Sequence, residues 1–457
     1  NTAVGYAALT NNSTGKENTA IGGLAMDANT TGIRNTAVGH NALAANTTAD
    51  SNSAVGRNAL SANTTGAQNT AVGRAALGAN TTASDNTAVG AFALDANTTG
   101  DSNVAVGKSA LTTATTADDN TAVGFYGLAA VTTGAGNVAV GKDAGQLITT
   151  GNYNVAIGLD ALESVTTGAD NTAVGYYALQ ANTGSGNTAF GRSAMAANTS
   201  GETNAAFGYQ SLDANTTGGS NTSIGYQAMT DNTTGSSNVA VGKNALSNNE
   251  TADYNVAVGF QALFTNTTGG NNVAVGHNAL VSATTADNNT AVGQAAGDAI
   301  TTGDLNVAIG KDAMGANTTG DKGVAIGTYA LDACTTGARN TAVGYSSGGA
   351  ITTGNENVCL GHGAGDELTT GSDNVVIGGD ASSGGSGSVD RIVIGRNATG
   401  TANDRVTLGI ASNLAELDLN GSDTSWAASS DERLKENIND SEAGLSFVND
   451  LRPVTYD

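Results

Sequence analysis

Residues Asn35 to Ser51 read NTAVGHNALAANTTADS, and the return of this string decides the fold. Its opening is met as Asn-Thr-Ala-Val-Gly at Asn1, as Asn-Thr-Ala-Ile-Gly at Asn18, and then at Asn52, Asn69, Asn86, Asn103 and onward to Asn374, with a degenerate copy from Arg391. There are 24 copies spaced by 17 residues, with one step of 16 between Asn171 and Asn187. A unit this small cannot bury an apolar face alone, so a fixed period means units stacked on one another. Within a copy, the run closed by Gly39, the apolar pair Ala42-Leu43 and the polar turn Asn46-Thr47-Thr48 lack helical periodicity. They predict two short strands per copy. Stacked ~4.8 Å apart, the 23 intervals make a rod on the order of 110 Å long. Asn at the first position of each copy is placed to form amide ladders between coils.

Composition excludes several classes. Of 457 residues, 64 are Gly and 1 is Pro, and aromatics make up 4 %, so the core is thin and built from small side chains. The net charge of −23, from 40 acidic and 17 basic residues, repels phosphate backbones and anionic membranes, so no nucleic-acid partner is expected. No apolar run approaches the ~18 residues that span a bilayer, so no membrane insertion is expected. The chain opens in mid-repeat, which reads as a fragment edge. Cys334 and Cys359 fall at different positions of their copies and read as small core residues.

The apolar stripe of each coil is too narrow for a thick core, and association of several chains is the natural remedy. The repeats resemble the head repeats of trimeric autotransporter adhesins and of related phage tail fibres. That resemblance, over roughly residues 1 to 400, implies a left-handed parallel β-roll with three chains side by side. The copies here are longer than the usual adhesin repeat, and the extra residues fall in the Asn-Thr-Thr turn.

One position, directly after the strand-closing Gly, carries side chains unlike the rest. It is basic at Arg57, Arg74, Lys108, Lys142, Arg192, Lys243, Lys311 and Arg396. It is aromatic at Tyr6, Phe125, Tyr176, Tyr209, Tyr226, Phe260 and Tyr345, and it holds all three histidines, His40, His277 and His362. Stacking turns the position into one column along the fibre. Rings and cations suit the faces of sugars and acidic glycans, making the column a candidate receptor stripe. The competing reading is a subunit edge, where long amphipathic side chains cover Ala-rich surface and pair with acids of the turns. The histidines lie in separate coils without further ligands, so no metal site is expected. The Asn-Thr-Thr triplets match the glycosylation pattern but read as turns.

After about Gly409 the repeat stops, and the sequence divides into a solenoid over 1–403, a connector over 404–429 and a last segment over 430–457. That segment carries Ser430-Asp431-Glu432-Arg433-Leu434-Lys435-Glu436-Asn437-Ile438 and then Leu451-Arg452-Pro453-Val454-Thr455-Tyr456. It resembles the opening of the intramolecular chaperone domain of phage tailspikes and fibres, the self-cleaving S74 peptidase group. The resemblance implies a Ser-Lys dyad in which Ser430 is the nucleophile and Lys435 the general base. A Ser hydroxyl needs such a base, and burial can lower a Lys pKa enough to supply one. The competing reading is a charged helix start with Ser430 as N-cap. A short helix over residues 441–451 and a strand from Val454 to Tyr456 make this a mixed α/β segment, shorter than a complete chaperone module.

The expected fold is thus an all-β parallel solenoid, homotrimeric, with a short α/β tail. The expected function is host attachment by a virion tail fibre through a cell-surface receptor of glycan type, with no cofactor. Enzymatic activity is expected to be at most one self-cleavage. Alternatives are a bacterial surface adhesin and a non-enzymatic glycan- or ice-binding solenoid. A polysaccharide-cleaving spike would need paired carboxylates on an inserted loop, and the period has no such interruption.

Overall fold

The structure, a computed structural model, describes residues 1–421 and 427–428. Each copy forms one coil with one strand, of three residues such as Thr36–Val38 in all but the last copy, where Arg391–Ile394 has four, and each strand pairs in parallel with its equivalent in the next coil. The register repeats without slip: Thr36, Ala37 and Val38 lie opposite Ser53, Ala54 and Val55. The 16-residue coil keeps this register, with Thr172 opposite Thr188, because the missing residue comes from the Asn-Thr-Gly turn at Asn182–Gly184. Among the described residues there is no helix.

The expected second strand is absent. Ala42 and Leu43 are fully buried, but Leu43 has φ of 50°, so the chain turns there instead of extending. The Leu43 N–H still donates to the Ala59 carbonyl at 3.0 Å, so coils remain bonded through a bent backbone. A left-handed conformation excludes β-branched side chains far more strongly than Leu or Gly. Accordingly, from Leu9 to Gly365 this position holds only Leu, Met or Gly. Where it is Gly, as at Gly145, Gly297 and Gly348, the residue three further on is Ile148, Ile300 or Ile351. A Cβ added to Gly297 would stand 2.9 Å from Ile300 Cδ1. The isoleucine therefore fills the volume that Leu occupies in other coils.

Three further columns hold the stack. The strand-closing glycines share φ near +140°, and a Cβ on Gly56 would lie 2.4 Å from the Gly73 carbonyl oxygen. Asn at the first position is buried; Asn35 donates its amide Nδ2–H to Ala49 O at 2.8 Å, and its Oδ1 accepts the Asn52 N–H at 2.9 Å. These bonds are mainly to backbone. Amide-to-amide bonds also join this column from Asn86 to Asn171, as where Asn120 Nδ2–H donates to Asn103 Oδ1 at 3.2 Å. A second amide chain runs along the twelfth position, where Asn46 Nδ2–H donates to Asn29 Oδ1 at 2.8 Å and Asn63 to Asn46 at 3.1 Å. Buried amides cost free energy unless paired, and stacking supplies the partner from the next coil. The second amide chain runs in two stretches, Asn12 to Asn97 and Asn182 to Asn266, with Ala114, Val131, Ile148 and Val165 between them, and Asn266 Oδ1 is left without a partner because Ala283 follows it.

The parallel stack runs one strand past the last 17-residue copy. Arg391–Ile394 pairs with Arg405–Ile410, and Asn413–Asp418 then folds back antiparallel over that strand. Arg405 bridges Glu416 at 2.8 Å and Asp418 at 3.6 Å across this hairpin. The sheet continues one strand further, with Ala427–Ala428 pairing antiparallel against Ala415 and Glu416.

Candidate functional site

Strand geometry sends alternate side chains to opposite faces. The central Ala of each strand points inward and is fully buried, as at Ala37 and Ala173. The flanking residues point outward, and the Val or Ile before the Gly is exposed in most coils, as at Val89 and Ile21, and half-buried in others, as at Val38 and Val258, with Phe190 and Phe207 taking the same position in two coils. One apolar side chain per rung, exposed or half-buried, makes a continuous ribbon along the rod, a feature that marks an interaction surface.

The column beyond the Gly borders one edge of this ribbon. All eighteen singled-out side chains, from Tyr6 to Arg396, are exposed. Many rest on one another. Tyr209 and Tyr226 stack at 5.3 Å with their planes 13° apart, Phe260 and His277 at 5.3 Å and 11°, and Tyr345 and His362 at 5.4 Å and 11°. Arg192 lies between the Tyr176 and Tyr209 rings at 5.5 and 5.8 Å, and Lys243 between Tyr226 and Phe260 at 5.6 and 5.9 Å. From Tyr176 to His277 every rung is thus a ring or a cation touching its neighbours. Ring faces point along the fibre and are covered by the adjacent rungs, while ring edges and hydroxyls face outward. Elsewhere the column is looser. Arg74 lies over Phe92 at 4.3 Å and Lys108 over Phe125 at 5.5 Å, and His362 Nδ1 meets Asp380 Oδ1 at 3.0 Å. Lys142 and Lys311 pair with Asp143 and Asp312 at 3.0 and 3.1 Å. The hydrogen bond that Lys142 donates to Asp143 raises the Lys142 pKa, and bonds to Tyr329 and Asp312 raise that of Lys311. His40, Arg57 and Arg396 continue the same column.

The opposite edge of the ribbon, formed by the two residues before each Asn, carries an Asp or Glu in most rungs, with Lys16, Arg34, Lys322 and Arg339 as its cations, a net acidic row that the sequence reading overlooked. There Asp287 N–H donates to Asp304 Oδ1 at 2.7 Å, and Asp304 N–H to Asp321 Oδ1 at 2.8 Å. Side chains of one coil thus satisfy the backbone of the coil before. Aligning the last two positions of the copies would have shown this row, as it showed the basic one.

A shallow cleft lined by Tyr329, Asp332, Ser346, Gly349, Ala350 and Asp366 opens where small residues sit between two carboxylates. Burial raises both carboxyl pKa values. No group of His, Cys, Asp and Glu among the described residues could hold a metal ion. No helix of the structure is long and apolar enough to cross a membrane. Cys334 and Cys359 are free and buried, as expected, and desolvation pushes their thiols up to about 11 and about 12.

Ser430, Lys435, the helix over residues 441–451 and the strand from Val454 to Tyr456 lie outside the described residues. Residues 430–457 match the family model of peptidase S74, the chaperone of endosialidase. No curated protein and no solved structure matches the chain. A chaperone-of-endosialidase domain at the C-terminal end of an all-β parallel solenoid fits a protein of the phage tail-fibre or tailspike kind.

Proposed function

We propose that this chain is the shaft of a homotrimeric tail fibre that holds a phage at the surface of its host, and that its C-terminal chaperone drives trimer assembly. The observation that carries this reading is the order of parts. An unbroken stack of coils, with no inserted loop for catalysis, leads into the chaperone match at residues 430–457. The apolar ribbon supports the trimer, because a long apolar strip left in water favours association. Of the two readings of the ring and cation column, the subunit edge fits better. Stacked rungs leave no ring face open to a sugar between Tyr176 and His277. In the C-terminal domain, by its family resemblance, Ser430 is the nucleophile and Lys435 the base of a single self-cleavage.

The test is the intact mass of the full-length gene product beside Ser430→Ala. The reading predicts that wild type ends at or next to Ser430 while the variant runs on. Two uncleaved proteins would remove the dyad and leave a non-cleaving chaperone or a surface adhesin.

A further inference from the structure

Resting on the proposed trimer, we infer that the basic and aromatic edge of each chain docks on the acidic edge of its neighbour, rung against the same rung, with no axial stagger. The two edges flank the same apolar face. The column after the Gly follows each strand, and the acidic pair precedes the next. Five residues of nearly extended chain separate them, such as Asn187 to Gly191 between Gly186 and Arg192, roughly 20 Å over six steps of about 3.3 Å, so a cation on one edge cannot reach an acid on the other across this face within one chain. A face with unlike edges associates head to tail, and such contacts close into a ring when the rotation allows.

The register is read from the six coils between Asn171 and Asn271. In these coils the column runs Tyr176, Arg192, Tyr209, Tyr226, Lys243, Phe260, so the second and fifth carry cations. The residue pairs before the next Asn run Ser185-Gly186, Glu202-Thr203, Gly219-Ser220, Ser236-Ser237, Asp253-Tyr254 and Gly270-Asn271, so the second and fifth carry the acids. The charges coincide coil for coil, and the members of each pair lie within one rise of ~4.8 Å along the axis. A shift by one coil would set each cation against a neutral rung. Arg192, Lys243, Glu202 and Asp253 are all exposed, and none of the ion pairs among the described residues includes them. Ring contacts on both sides hold Arg192 and Lys243 in place. Asp253 uses Oδ1 to accept the Ser236 N–H at 2.6 Å, which fixes its carboxylate at the edge. Two opposite charges already held in position lose little side-chain freedom when they meet.

The full-length assembly is treated with a water-soluble carbodiimide, which joins an amine and a carboxylate only where they touch, and native mass is measured in parallel. The expected result is a trimer containing a Lys243–Asp253 linked peptide between chains, lost in Lys243→Gln. As a second readout, Arg192→Glu should lower the temperature at which the trimer dissociates, and Arg192→Glu with Glu202→Arg should recover most of that loss. A trimer whose Lys243 links to an acid of another coil, or to none, with no recovery in the double variant, overturns the register and leaves the trimer standing. A monomer by native mass overturns both.

Discussion

Neighbouring glycines, Gly378 and Gly379, offer the sharpest test of how the coils are packed. Gly378 closes a strand with φ of +135°, and a Cβ there would lie 2.5 Å from the Gly395 carbonyl oxygen and 2.6 Å from its carbon. At Gly379 nothing lies within 4 Å of the same atom. Gly378→Ala therefore meets two costs: a backbone conformation open almost only to Gly, ~1–3 kcal/mol, and overlap with main chain that cannot swing aside, ~1–3 kcal/mol. Together they amount to about 2–6 kcal/mol. Gly379→Ala meets neither, and the lower entropy of its unfolded chain can stabilise the fold by ~0.4–1 kcal/mol. Because each coil touches only its neighbours, the damage should be local. Hydrogen exchange followed by mass spectrometry should show lost protection in the coils around residues 361–395 for Gly378→Ala and unchanged protection for Gly379→Ala. Equal effects of the two substitutions would refute the close approach of the glycine column.

Other expectations follow from the same packing. Leu263→Gly should cost ~2–5 kcal/mol as a buried Leu deletion, and adding Asn266→Ile should recover more than half of it in calorimetry, as the Gly297 and Ile300 coil does naturally. The second change only moves the unpaired amide oxygen from Asn266 to Asn249. Burial raises the carboxyl pKa values of Asp213, Asp298 and Asp332. A raised folded-state value means stability that is full below the unfolded pKa and lost as pH rises through the folded one, so thermal stability should increase as pH falls from neutrality toward the ordinary carboxyl value of 3.8, and a decrease would contradict this. Cys334 and Cys359, with thiols at about 11 and about 12, should not react with a thiol reagent at pH 8 until denaturant is added, since only the thiolate attacks.

The period, the inward Ala and the column after the Gly were all legible in the sequence, because stacking converts a position in the copy directly into a line in space. The sign of φ was not. Ala42-Leu43 carries the same apolar signal whether the chain extends or turns, and only the absence of Val and Ile across all equivalents of Leu43 betrays the turn. Asn46 misled in the other direction. In a turn it reads as solvent-facing, yet it is fully buried because Asn29 and Asn63 satisfy its amide from the adjacent coils. Of the candidate site, the row from Tyr6 to Arg396 was legible as a row. That its rings face along the axis depends on rotamers that residue type does not encode, and the acidic edge opposite was missed because its residues look like ordinary turn.

A cross-section of the full-length protein by electron cryomicroscopy tests the central claim most directly. Three solenoids around one axis, with the Val and Ile faces turned inward over the length of the coils and rungs ~4.8 Å apart, is the predicted image. A rod one chain wide, with that ribbon open to solvent, would contradict it.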